Sequence, residues 1–193
     1  MTIQRAIETR FIRQGVADDA DTLRRVFEYA GHGLAQTFWR KAHEKGTDFD
    51  SMVRKRMAKR IGDPVNRFRV CDIDGVPAGG ILSYEKTGKP EDPGDAGPML
   101  RVLIEAENNL VGTHYINALA VFPEFRLRGI AELLIRDAAG DASQPLSLIA
   151  ADENTEALRL YRRLGFEDIS HHPIRAEGWT PNGRTWITMI RAN

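Results

Sequence analysis

The most constraining feature of the chain is a run of four alternating elements between Thr113 and Gly165. "THYINALAVF" is almost continuously apolar, the texture of a strand covered on both faces, as in a parallel sheet. In "GIAELLIRDAA", Ile130, Leu133, Leu134 and Ala138 recur at helical spacing. "PLSLIAA" (145–151) predicts a second buried strand. "NTEALRLYRRLG" predicts a second helix, with Ala157, Leu160, Tyr161 and Leu164 on one face and Arg159, Arg162 and Arg163 elsewhere. Gly165 stands where a left-handed C-terminal cap belongs. Strand, helix, strand and helix in this order predict a parallel pair joined by a right-handed crossover.

The flanking segments add strands of another kind. "TRFIRQG" (9–15) reads as a short strand, and "DADTLRRVFEYAGHG" as a helix burying Leu23, Val26, Phe27 and Ala30. Asp18, Asp19 and Asp21 crowd its positive end, and Gly31 and Gly33 stop it. A second helix fits 49–61, with Met52, Val53, Met57 and Ile61 as the apolar stripe and Arg54, Lys55, Lys59 and Arg60 on the other face. "NRFRVCDIDGVPAGGILSYE" predicts a hairpin about Asp74-Gly75, with Phe68, Val70 and Asp72 alternating with arginines and Cys71 before a return strand at 76–84. "KTGKPEDPGDAGP" is a loop, and "MLRVLIEAENNL" a short helix carrying Leu100, Leu103, Ile104 and Glu107. "FEDISHH" and "RTWITMIR" close the chain as two strands. The fold class predicted is α/β: one domain over 1–193, a mixed sheet with antiparallel margins around a parallel centre and helices on both faces.

Composition narrows the function. Lysine plus arginine equals aspartate plus glutamate, 27 each, which argues against a general nucleic-acid binder. The basic stretch "RKRMAKR" (54–60) therefore reads as a solvated helix face. One cysteine, Cys71, allows no internal disulfide, and the N-terminus lacks the apolar core of a signal peptide. No apolar run approaches the roughly 20 residues that span a bilayer. A cytoplasmic setting with no membrane or nucleic-acid partner is the expectation. His171-His172 would point to opposite faces of a strand, so no metal site is expected.

"RLRGIA" (126–131) joins the first buried strand to its helix. The first turn of a helix offers unpaired amides and a positive dipole end, which together bind anions. Gly129 lets a ligand approach the backbone, and Arg126 and Arg128 add charge. A plain strand-to-helix turn explains the same six residues equally well. The segment lacks the Gly-Lys-Ser/Thr of a P-loop and the glycines of a dinucleotide fingerprint.

Two linked motifs separate those readings. Arg126, Gly129 and Ala131 match the Arg/Gln-x-x-Gly-x-Gly/Ala signature of the GCN5-related N-acetyltransferase (GNAT) family, with alanine at the last position where many members have glycine. Downstream, Asn154, Tyr161 and Leu164-Gly165-Phe166 match that family's second signature, and "YINALAV" resembles its strand. The resemblance is densest over 113–167, an acetyl-CoA-binding core between acceptor-side elements (1–112) and C-terminal strands (168–193).

That resemblance implies a splayed central parallel pair, with acetyl-CoA as co-substrate lying in the gap. The backbone of Leu119, Ala120 and Val121 would pair with the pantetheine arm. The amides of Leu127, Arg128, Gly129, Ile130, Ala131 and Glu132, beside Arg126, would hold the pyrophosphate. Asn154, with Ala157 on the same helix, would face the cofactor, although Asn is equally at home as an N-cap. Tyr161 would protonate the departing thiolate, against the commoner fate of a core tyrosine. A backbone amide near Leu119 would stabilise the oxyanion. The base is open by type among Glu85, Glu105, Glu107, His114, Tyr84 and water. His32, Phe38 and Trp39 would lie on the acceptor side, where packing explains Phe38 and Trp39 as well. The activity implied is transfer of acetyl to a primary amine, on a small molecule or a peptide, by direct attack in a ternary complex. A non-catalytic acyl-CoA-binding domain is the alternative, and a homodimer is compatible with either.

Overall fold

The structure, a computed structural model, describes residues 9–140 and 142–192. Seven strands form one sheet: β1 (Arg10–Gln14), β2 (Arg67–Ile73), β3 (Val76–Lys86), β4 (Thr113–Val121), β5 (Leu146–Ala151), β6 (Glu167–Pro173) and β7 (Thr185–Arg191). Their order is β1-β2-β3-β4-β5-β7-β6. Every neighbouring pair is antiparallel except β4 and β5. The helices are α1 (Ala20–Ala30), α2 (Leu34–Lys41), α3 (Phe49–Gly62), α4 (Pro98–Asn108), α5 (Ile130–Gly140) and α6 (Thr155–Arg163). The mixed sheet with a central parallel pair is thus as the sequence predicts, and Asp74 and Gly75 turn the β2–β3 hairpin at φ 50° and 80°.

Two elements differ from expectation. The segment after Gly33, read from sequence only as an inter-helix connection, forms α2. Gly33 sits at its N-cap at φ 94°, so the glycine that stops one helix starts the next. The apolar stripe of α4 is also displaced. Met99 and Ala106 are its buried residues, whereas Leu100 is exposed and lines a cavity with Leu103 and Ile104.

The sheet divides two cores. On one face α5 and α6 bring Leu134, Ile135 and Leu158 against Ile81, Ile116 and Leu148. On the other, α1 and α3 bring Leu23, Val26, Val53 and Met57 against Phe68, Leu82, Ala118 and Ala120. Ile116 and Ala118 should share a face in a regular strand, yet they lie in different cores. The cause is a bulge: Ser83 pairs with Ile116 and Leu82 with Ala118, leaving Asn117 as the extra residue. One inserted residue reverses the in–out parity of the strand beyond it.

Asp19, expected to serve the positive end of α1, turns to the sheet edge instead. Arg13 on β1 holds it at 2.7 Å and Asp72 at 2.5 Å, tying β1, β2 and the start of α1 together. Both carboxylates are buried and the arginine is partly exposed. The hydrogen bond from Arg13 keeps the Asp19 carboxyl below its ordinary range, against the upward push of burial. A pKa depressed in the folded state stabilises above the unfolded value and ceases to do so as pH falls through the folded one. Arg13→Met should therefore cost about 2 kcal/mol at neutral pH, somewhat below the range for fully buried pairs. The gap between variant and wild type should narrow below about pH 4 in urea melts. A gap independent of pH would sink this account.

Candidate active site

The parallel pairing of β4 and β5 is short. It runs His114–Leu146, Tyr115–Ser147 and Ile116–Leu148, then stops, although β4 continues to Val121 and β5 to Ala151. The two strands part at the bulge. Phe122 N donates to Ala78 O, so by the alternation of an antiparallel ladder the amides of Leu119 and Val121 point away from β3, toward the opening. β4 thus carries an unpaired backbone edge inside the sheet, a template for an extended ligand.

A narrow cleft of about 70 Å³ occupies the gap. Asn117, Ala118 and Leu119 line it from β4, Ile149 to Ala151 from β5, and Asn154 and Tyr161 from the α6 region. Ala120 and Val121 extend the same open edge, but Ala120 turns its methyl into the α1–α3 core and Val121 O accepts from Arg126 Nε at 3.3 Å. Asn154 occupies the N-cap position of α6 with no side-chain cap bond, so its amide is not spent on the helix end. Tyr161 is 9% exposed, beside Phe166 with ring centroids 5.8 Å apart. Burial pushes its phenol up to about 12, so it is protonated at neutral pH. Ala157 packs against the α5–α6 core and is not among the residues lining the cleft.

The loop ahead of α5 is shaped by its backbone. Leu127 lies at φ 61° with its side chain fully exposed, and Gly129 at φ 75°. Leu133 N donates to Gly129 O, so the helical ladder begins there and the amides of Ile130, Ala131 and Glu132 lack intrahelical acceptors. A Cβ on Gly129 would meet nothing within 4 Å, so the loop is open at this residue. Glu132 turns aside to Arg136 at 2.8 Å and Arg163 at 3.4 Å, leaving only its amide toward the loop. Arg126 lies over the Tyr29 ring at 5.8 Å, and Arg128 over Phe125 at 5.5 Å. Open amides, positive dipole and two arginines suit a phosphate-bearing ligand.

A second, larger cavity of about 730 Å³ lies on the α1–α4 side of the sheet. Phe27, Phe38, Trp39, Tyr84, Tyr115 and Trp186 give it aromatic walls. It meets the cleft at Asn117, Ala118, Ile149 and Trp186, which border both spaces. Of the bases open by type, Glu107 and Tyr84 line this cavity. Glu107 is paired with Lys86 at 2.7 Å, and burial pushes the Tyr84 phenol well above its ordinary value. Glu85 pairs with Arg67 at 3.2 Å. His114 is fully buried against Ser83 Oγ at 2.9 Å. His32 lines the cleft and Phe38 and Trp39 the cavity.

Sequence reasoning missed four contributors. Glu153 lines the cleft with one carboxylate oxygen buried and unbonded. Trp179 and Trp186 stack 5.9 Å apart, and Trp179 Nε1 donates to His32 O, closing the cleft mouth from the β6–β7 connection. Arg60, read as a solvated residue of α3, is half-buried and donates to Asn117 Oδ1 at 2.8 Å. Two of them carried a signal: Trp179 as a large aromatic in a polar loop, and Arg60 through its helical spacing from Val53 and Met57. His171 lies 3.6 Å from Asp168, and His172 beside Ser170 and Asn109. Among the described residues no group of three His, Cys, Asp or Glu could hold a metal, and no helix is long and apolar enough to cross a membrane.

Two spaces meeting through a gap in a sheet let two substrates approach one point from opposite faces, and the fold is that of acyltransferases. The chain belongs to the acetyltransferase (GNAT) family, whose model matches residues 33–166. It is an N-acetyltransferase, with acetyl-CoA as co-substrate. An acetyltransferase from Thermus thermophilus shares its fold at TM-score 0.56 and 18% identity, over 96% of this chain and 97% of that one. The PaiA N-acetyltransferase from Thermoplasma acidophilum, solved with coenzyme A, gives 0.57 at 13% identity over 96% and 99%. A spermidine N-acetyltransferase from Vibrio cholerae, solved with CoA and spermine, gives 0.57 at 18% over 95% of each. At these identities the likeness is one of fold. No curated protein sequence matches significantly.

Proposed function

We propose that the chain transfers acetyl from acetyl-CoA directly to a primary amine, the thioester lying in the β4–β5 gap and the amine arriving through the aromatic cavity. The observation that carries this reading is the junction of the two spaces at Asn117 and Ala118, beside the open edge of β4. Residues 1–112 supply most of the cavity wall, as an acceptor side should. The pantetheine arm pairs with the edge at Leu119 to Val121. The pyrophosphate sits on the amides of Leu127 to Glu132, and Asn154 turns its amide to the arm.

The amine nitrogen bonds to the thioester carbon, and the carbonyl electrons move to oxygen, where the Leu119 amide donates to them. The ammonium formed loses its proton to water in the open cavity. Collapse breaks the carbon–sulfur bond, and the sulfur leaves with a proton from the Tyr161 hydroxyl, which recovers one from solvent. Tyr161 is in the acid form this role needs, as any phenol is at neutral pH, and burial holds it so to still higher pH. A proton donor must be in its acid form when the thiolate departs.

The test combines a melt with a thiol assay. Acetyl-CoA at 100 times its Kd should stabilise the protein by about 2.7 kcal/mol. Free CoA thiol should then appear when an amine panel is added. Stabilisation without turnover across a broad panel would instead assign the chain as an acyl-CoA-binding domain, and no stabilisation would reject the whole reading.

A further inference from the structure

The cationic groups of the acceptor cavity come from one helix. Arg56, Lys59 and Arg60 of α3 all line it, and among the described residues none has an acidic partner. Two carboxylates oppose them. Glu107 is already neutralised by Lys86 at 2.7 Å, which leaves the Asp63 carboxylate, accepting from Val65 N, against the three cations. The net charge of the cavity wall is positive. Polycationic acceptors, which need clustered carboxylates, do not suit such a wall.

Arg60 is the innermost of the three. Its side chain lies against the Phe27 ring at 5.1 Å and donates one terminal N–H to Asn117 Oδ1 at 2.8 Å. Asn117 is the bulge residue that borders both the cavity and the cleft. A guanidinium carries five N–H donors in a planar fork that matches a carboxylate. The group therefore places anion-binding capacity at the neck between the two spaces, with an apolar, aromatic chamber behind it.

Resting on the acetyl-transfer reading above, we infer that the acceptor is an amino acid: an amine with a carboxylate on the same or the next carbon and an apolar or aromatic body. Arg60 takes the carboxylate. The closeness of Arg60 to Asn117 puts the neighbouring amine at the thioester, because a longer spacer would carry the nitrogen past the neck. The body of the acceptor fills the space between Phe27, Phe38, Tyr84 and Tyr115. Arg56 and Lys59 draw the anion inward along α3.

The experiment compares phenylalanine, phenylalaninamide and phenethylamine, with spermidine and kanamycin as polycations, at equal free-amine concentration in the thiol-release assay. The carboxylated member should exceed its amide by about 10- to 100-fold in kcat/KM, the range for hydrogen bonds to a charged group. Arg60→Met should bring that ratio close to one through KM, and Arg60→Lys should restore part of it. The melting shift with acetyl-CoA alone should persist in both variants. A purely structural Arg60 would lower both acceptors equally and leave the ratio intact, which overturns the inference. So does preference for the amide, the plain amine or a polycation, and so does the absence of both turnover and carboxylate-dependent stabilisation while acetyl-CoA still binds. Loss of the acetyl-CoA shift in the wild type rejects the acetyl-transfer reading itself.

Discussion

Gly129→Val should abolish the rise in melting temperature that acetyl-CoA gives the wild type. Two effects act at this residue, and they are separable. Gly129 lies at φ 75°, where a β-branched side chain is strained whatever the space around it. That strain lowers the stability of the ligand-free protein by about 1–2 kcal/mol. The other effect is on binding. A Cβ at Gly129 meets no protein atom within 4 Å, so a side chain there projects into open space at the start of α5, where a bound pyrophosphate would lie. At 100 times Kd the wild type should gain about 2.7 kcal/mol, several degrees for a chain of this size. The valine variant should gain nothing at the same concentration. Gly129→Ala shares most of the backbone strain and adds one methyl, so it should melt lower and still respond. Equal responses from valine and wild type would remove this loop from cofactor binding, whatever the loss of stability.

This loop shows how far the sequence was legible. Position and residue type at Arg126, Gly129 and Ala131 sufficed to locate an amide-rich turn, because the turn is local: its conformation depends on a glycine and a helix start a few residues apart. The parallel pair was legible for a similar reason, since burial on both faces leaves a continuous apolar run. The bulge at Asn117 was not. Nothing in "INALAV" distinguishes a regular strand from one with an extra residue, because the register is decided by pairing with β3, more than 30 positions away. With the parity of β4 unknown, Tyr115 and Asn117 could not be assigned to the larger cavity.

Arg60 was lost for a different reason. Seven positions from Val53 and three from Met57, it falls on the inner stripe of α3, and its charge alone put it with the solvated residues. For α4 the periodicity was visible while its partner was not. Leu100, Leu103 and Ile104 look like a core stripe and instead line the larger cavity. Apolar periodicity reports burial on average and does not say whether protein or ligand completes it.

Tyr161→Phe should lower kcat about 100-fold while leaving the melting shift with acetyl-CoA in place. The magnitude is set at the low end of general acid catalysis, about 10²–10⁴, because a thiolate is a better leaving group than an alkoxide and departs slowly even unaided. Phenylalanine keeps the ring that packs beside Phe166, so the change removes a hydroxyl without opening the α5–α6 core. The pH profile carries the sharper evidence. Burial pushes the Tyr161 phenol up to about 12, so the wild type should lose no activity through this group until pH nears that value. On the acid side it cannot limit the rate, since it is protonated throughout. A rising acid limb must then report loss of a proton from the acceptor amine, and it should be the same in the variant. A uniform loss from neutral pH to about pH 10, parallel to the wild-type profile, is the expected result. Unchanged kcat would return Tyr161 to the role of a core residue, and a loss confined to KM for acetyl-CoA would make it a binding group instead of an acid.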